Sequence, residues 1–99
     1  MSSQLGSVGD NTSGGAYAYR ISKAALNMFM HTLAFEARKR GVTVVMLHPG
    51  NVATNTETAR LPGAMATADS VRQMLEVINA LSPEDNGRFM DYRGEGMPW

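Results

Sequence analysis

Cysteine is absent from all 99 residues, which excludes a disulfide framework, thiol catalysis and thiolate metal ligation. A dominant charge is missing too. Nine Lys and Arg balance nine Asp and Glu, so no overall field favours nucleic acid or an anionic membrane surface. No apolar run approaches the roughly 20 residues of a membrane span, and the polar opening MSSQLGSVGDNTSGG lacks the cationic and apolar regions of a signal peptide. The expectation is a cytoplasmic chain with neither nucleic acid nor membrane as a partner. Asn11-Thr12-Ser13 fits a glycosylation sequon, which has no meaning without secretion. His31 and His48 have no second His, Asp or Glu spaced to complete a metal set, so both read as structural and no metal is expected. GSVGDNTSGG lacks the lysine of a phosphate loop, and no Gly-x-Ser-x-Gly elbow occurs.

The order of elements is legible in what remains. The first fifteen residues are Gly-, Ser-, Asn- and Thr-rich and read as a loop entering a helix. From Tyr17 to Arg40, Leu26, Phe29, Met30, Leu33 and Ala37 recur at helical steps as one apolar stripe, with Ala25, Met28, Thr32 and Phe35 as a second. Arg38, Lys39 and Arg40 suit the negative end of the helix dipole, and Gly41 suits a left-handed closing residue. VTVVML, Val42 to Leu47, reads as a strand buried on both faces, as in parallel sheets. HPGNVATNTETARLPG is irregular. Thr67 or Asp69 can cap a second helix carried by Val71, Met74, Leu75, Ile78 and Leu81, which ends at SPEDNG, and Arg88 to Tyr92 forms a short strand. Loop, helix, strand, loop, helix, strand is an α/β order, and residues 1–99 form one domain without repeat or linker.

Within YAYRISK, Tyr19 stands four residues before Lys23, a spacing that puts both side chains on one helix face. A free phenol, with a pKa of about 10, is a poor acid or base near neutrality, and an ammonium held beside it stabilises the phenolate. Tyr17 has no lysine at that spacing and is the less suitable acid. After the first strand, Pro49, Gly50, Asn51 and Val52 form a turn at the carboxyl end, where open α/β sheets place ligands.

SSQLG at the start, YAYRISKAALN, and HPGNVAT after the next strand together resemble the C-terminal half of the short-chain dehydrogenase/reductase family, particularly its small carbonyl-reductase-like members. The resemblance implies the C-terminal portion of a Rossmann-like doubly wound parallel sheet, acting with NADP or NAD on a small-molecule carbonyl or alcohol. It implies Ser3 as the hydrogen-bond donor to the substrate oxygen, with Ser2 as the alternative, Tyr19 as acid/base, and Lys23 serving both Tyr19 and the cofactor ribose. It also implies that the turn at Pro49, Gly50 and Val52 cups the nicotinamide and that Thr54 bonds its carboxamide.

The glycine-rich dinucleotide turn of that family, and the acidic or basic ribose selector that follows it, do not occur in these 99 residues. Two functions of different class are therefore expected. One is an oxidoreductase, incomplete as this isolated chain and completed by an N-terminal half. The other is a non-catalytic α/β module acting by association. A homo-oligomer is expected in either case, because a cut parallel sheet leaves an open edge and so short a chain cannot cover two apolar helix stripes.

Overall fold

The computed structural model describes residues 1–99. Two helices and two strands, α1 (Tyr17–Arg38), β1 (Met46–His48), α2 (Thr67–Asn79) and β2 (Phe89–Asp91), are joined by irregular chain carrying short 3-10 turns at Gln4–Gly6, Thr58–Arg60 and Pro83–Asp85. β1 and β2 pair in parallel, with Met46 opposite Phe89, Leu47 opposite Met90 and His48 opposite Asp91. Ahead of α1, Ser2 N–H donates to the Leu47 carbonyl at 2.8 Å and so ties the serine segment to β1.

Alternation along β1 divides the core. Leu47 packs with Met90 and Met74 of α2, flanked by Val45, Val77, Leu81 and Tyr92. On the other face, Phe89 contacts Trp99 and Trp99 meets His31 of α1, with ring centroids 5.6 and 4.9 Å apart. The strand is shorter than the Val42 to Leu47 run, and Val42 is exposed. Val44 N–H donates to the Asn86 side-chain oxygen at 2.7 Å, while its carbonyl accepts from Gly87 N–H, because β2 begins only after the Gly87 turn.

Both helices turn differently from their apolar patterns. In α1 the buried residues are Asn27 and Ala34, with Lys23, Ala24, Leu26, Met30, His31 and Ala37 half-buried, whereas Phe29 and Leu33 of the expected first stripe are exposed. The cause is a close approach. A Cβ on Gly6 would lie 2.8 Å from the Lys23 backbone carbon and from its Cβ, so the face toward the serine segment tolerates only small or hydrogen-bonded residues. Bulky side chains turn outward. Ile21, Met28, Phe29 and Phe35 are 64% to 69% exposed.

Gly41 does close α1, at φ 71°, with Gly41 N–H bonded to the Arg38 carbonyl and Val42 N–H to the Ala37 carbonyl. For α2 the cap is Ala66 in extended conformation, not Thr67 or Asp69. The Asp69 carboxylate lies one turn inside the helix and pairs with Arg72. Met74 and Leu81 of the expected stripe face the core, while Val71, Leu75 and Ile78 are exposed, because the chain buries Ser70 instead. Ser70 Oγ donates to the Pro49 carbonyl at 2.7 Å and so ties α2 to the turn after β1.

Gly6→Ala should lower stability by about 1–3 kcal/mol, the usual cost of overpacking a tight contact. Urea unfolding read by helical circular dichroism measures it, and an unchanged midpoint would show that the turn yields freely.

Candidate active site

Residues from three segments converge at the carboxyl end of the parallel pair. A cleft of about 300 Å³ is bordered by Ser2 and Ser3, by Tyr19 from the first turns of α1, and by His48, Pro49 and Gly50 at the end of β1. Ser3 begins the first 3-10 turn, where its Oγ accepts from Leu5 N–H at 3.2 Å and keeps its own hydrogen to donate. The Ser2 hydroxyl is committed elsewhere. It donates to Asn27 Oδ1 at 2.6 Å, inside the contact with α1.

Tyr19 is half-exposed, and Lys23 Nζ lies 5.7 Å from its ring centroid, within cation–π range. Lys23 is therefore beside the tyrosine but not on the cleft wall. Tyr19, Lys23 and Asn27 follow one another at four-residue steps along α1, and the Asn27–Ser2 bond helps set the rotation of the helix that brings Tyr19 to the cleft Ser3 also lines.

Gly50 carries φ 82°, and a Cβ there would meet the Tyr92 ring at 2.9 Å, so the turn after β1 requires glycine twice over. Val52 and Thr54 lie beyond the cleft. Val52 bridges Met65 through bonds made by its neighbours: Met65 N–H to the Asn51 carbonyl and Ala53 N–H to the Met65 carbonyl. That parallel pattern directs Val52 N–H to the opposite side, where it has no acceptor within the chain. Thr54 is bound up in its own loop. Its N–H donates to Thr58 Oγ1 at 2.9 Å, and the two hydroxyls are 3.4 Å apart.

His48 is the residue that sequence reasoning passed over. It lines the cleft and also an adjoining polar cavity of about 380 Å³ that shares Gln4, Gly50 and Asn51 and continues to Asp10 and Asp91. Its only sequence signal is its place directly before Pro49-Gly50. Nδ1 is buried without a hydrogen-bond partner, and burial pushes the imidazole below its usual value against the pull of Asp91 and Asp10. Asp91 is itself buried, which pushes its carboxyl up, but the Arg93 side chain and the N–H groups of Glu95 and Arg93 outweigh this and hold it below the usual carboxylate range.

The sequence profile described as short chain dehydrogenase matches residues 1–64. The chain belongs to the short-chain dehydrogenase family. It is 50% identical over 99 residues to C-signal from Myxococcus xanthus, covering all of this chain and 58% of that protein. Among solved structures, the carbonyl reductase Sniffer of D. melanogaster aligns over the whole chain with a TM-score of 0.92 and 38% identity, and this chain covers 39% of it. An NADPH-bound carbonyl reductase from chicken fatty liver aligns over 99% of the chain with a TM-score of 0.89 and 38% identity, 40% of that chain being covered. The fold is thus part of the family's Rossmann-like α/β architecture, and the chain spans a little over half of the first relative and about two-fifths of these structures.

A His48 imidazole pushed down by burial gives a signed prediction. The unfolded chain takes up the proton first, near pH 6.5, so this contribution to stability is complete above that value and is lost as the pH falls through the lower folded value. Urea midpoints measured between about pH 7 and 5 should fall for the wild type. They should fall less for His48→Asn, and equal slopes for the two would refute the assignment.

Proposed function

We propose that these residues form the acid–base half of an NADP(H)- or NAD(H)-dependent oxidoreductase site acting on a carbonyl or alcohol. The observation that carries this reading is the meeting of Ser3 and Tyr19 in one cleft, with the Lys23 ammonium 5.7 Å from the tyrosine ring centroid. In the reducing direction Ser3 Oγ–H donates to the substrate carbonyl oxygen and polarises it. Tyr19 passes its proton to the same oxygen, and Lys23 steadies the phenolate left behind. A bound nicotinamide supplies the hydride that the carbonyl carbon receives. In the oxidising direction the proton returns from the alcohol to Tyr19. The residues present fit such a cofactor at its nicotinamide end: Lys23, the side-chain-free turn at Gly50 and the unpaired Val52 N–H would hold it, with Thr54 joining once its hydroxyl turns from Thr58.

With no glycine-rich pyrophosphate turn among its residues, the isolated chain should bind NADPH only in the millimolar range, about −4 kcal/mol. Saturation at low micromolar cofactor in calorimetry would contradict this. When the chain is completed by an N-terminal half, Tyr19→Phe should remove nearly all turnover with the fold unchanged. Lys23→Met should weaken both cofactor binding and kcat. A wild-type rate in Tyr19→Phe, with Tyr17→Phe inactive, would reassign the acid.

A second reading, a non-catalytic module acting by association, rests on a different observation. Ile21, Met28, Phe29 and Phe35 form a broad exposed apolar face on α1, larger than a lone chain ordinarily leaves bare. The face suits a second copy of the chain, with an ordinary interface of about 1,600 Å² in total. Light scattering at tens of micromolar should give at least twice the mass of one chain, and the double variant Met28→Glu/Phe35→Glu should give one. A cooperative thermal transition from a wild-type monomer would rule out self-association.

A further inference from the structure

Asn86-Gly87 is the sole Asn-Gly pair in the sequence. Such a pair is chemically labile, because a glycine nitrogen with no Cβ beside it is free to attack the preceding side-chain amide. The fold nevertheless requires both residues. Gly87 has φ 83°, and a Cβ there would lie 3.3 Å from His31 Nδ1 and 3.5 Å from the Ala34 Cβ, so any other residue would be strained and crowded. Asn86 joins two segments through one amide: its Oδ1 accepts from Val44 N–H at 2.7 Å, and its Nδ2 donates to the Ala34 carbonyl at 2.8 Å. A carboxylate at this position could keep the first bond but not the second, having no hydrogen to donate.

The same bonds hold the reacting atoms apart. The Gly87 nitrogen, which would attack, donates its hydrogen to the Val44 carbonyl at 2.7 Å. The Gly87 carbonyl is 2.9 Å from His31 Nδ1 and can only accept, so that nitrogen carries the hydrogen. Gly87 is buried and Asn86 half-buried. Ring closure needs the Asn86 Cγ to swing onto the Gly87 nitrogen, which breaks the bonds to Val44 N–H, to the Val44 carbonyl and to the Ala34 carbonyl together. Such an opening parts the end of α1 from the entry to β1, and is a local unfolding event.

We propose that Asn86 is a deamidation site guarded by this folded clasp, converted when the clasp opens, after which the clasp no longer closes as before. The Gly87 nitrogen loses its proton to solvent base and bonds to Asn86 Cγ, while the Cγ–Nδ2 bond breaks and the amide nitrogen leaves as ammonia, protonated by solvent. Water then opens the cyclic imide at either carbonyl and leaves aspartate or isoaspartate, with nothing oxidised or reduced. The aspartate form turns a carboxylate oxygen toward the Ala34 carbonyl where the amide had donated, in a half-buried place next to Asp85 in the chain. Conversion therefore makes a transient opening permanent. The site is independent of the oxidoreductase reading.

Incubation of the chain in mildly alkaline buffer, with and without urea above its unfolding midpoint, tests this by peptide mapping and mass spectrometry, which read the exchange of amide nitrogen for oxygen at residue 86. Conversion should run at least tenfold more slowly in native buffer than in urea, equivalent to a local opening free energy of about 1.4 kcal/mol. His31→Ala removes the bond to the Gly87 carbonyl, and should speed conversion in native buffer while leaving the rate in urea unchanged. Converted chains, separated by their added negative charge, should unfold at lower urea than unconverted ones, and Asn86→Asp should match them. Because Asn86→Asp can fail to fold, the ratio of native to urea rates in the unsubstituted chain serves as the second measurement. Equal rates in the two buffers, no acceleration in His31→Ala, or an unchanged urea midpoint after conversion would each overturn the proposal.

Discussion

Everything at the candidate site depends on the contact between residues 2–6 and α1. The buried Ser2–Asn27 hydrogen bond and the approach of Gly6 to the Lys23 backbone fix the rotation and height of the helix over the serine segment. Ser2 N–H meanwhile holds that segment to Leu47 of β1. Helix, serine segment and sheet are thereby registered to one another by two short polar contacts and one steric one. Without them, Tyr19 and Ser3 would be two side chains on independent loops and helices.

The same contact explains why the helix surface is divided as it is. A face that must admit the Gly6 turn has room for Ala24 and Asn27, and further along the helix the Gly87 turn admits Ala34 in the same way, not Phe29 or Leu33. The large side chains are displaced to the outer face, which helps explain why only 14 of the 99 residues are buried. A chain with so small a core depends on hydrogen bonds between segments, such as Ser70 to the Pro49 carbonyl and Asn86 to the Ala34 carbonyl, to hold its layers together. The exposed apolar face is consistent with a chain that spans about two-fifths of the solved carbonyl reductases it matches.

Charge is handled locally as well. Asp91 ends β2 as a buried carboxylate satisfied by Arg93 and two main-chain N–H groups, while His48 at the end of β1 stays unpaired on Nδ1 and disfavours the proton. The two residues are register partners in the sheet, so the polar cavity beyond the cleft is built directly on the strand ends. Ligands of open α/β sheets bind at that place because strand ends and the turns after them expose main-chain groups there.

The sequence by itself determined the order of elements, the end of α1 at Gly41, the turn after β1, and the Tyr19–Lys23 spacing, because capping, turn chemistry and helical period act over a few residues. It also carried the family resemblance, through short motifs that each need only local reading. Which face of each helix turns inward, which serine keeps a free hydroxyl, and the roles of Asn27 and His48 were decided by tertiary structure alone. The reason is range. Asn27 meets Ser2 across 25 residues and His31 meets Gly87 across 56, and hydrophobic periodicity cannot register a close contact made through a glycine and an amide. Apolar stripes show where a helix could bury surface. The chain that folds back against it chooses among them.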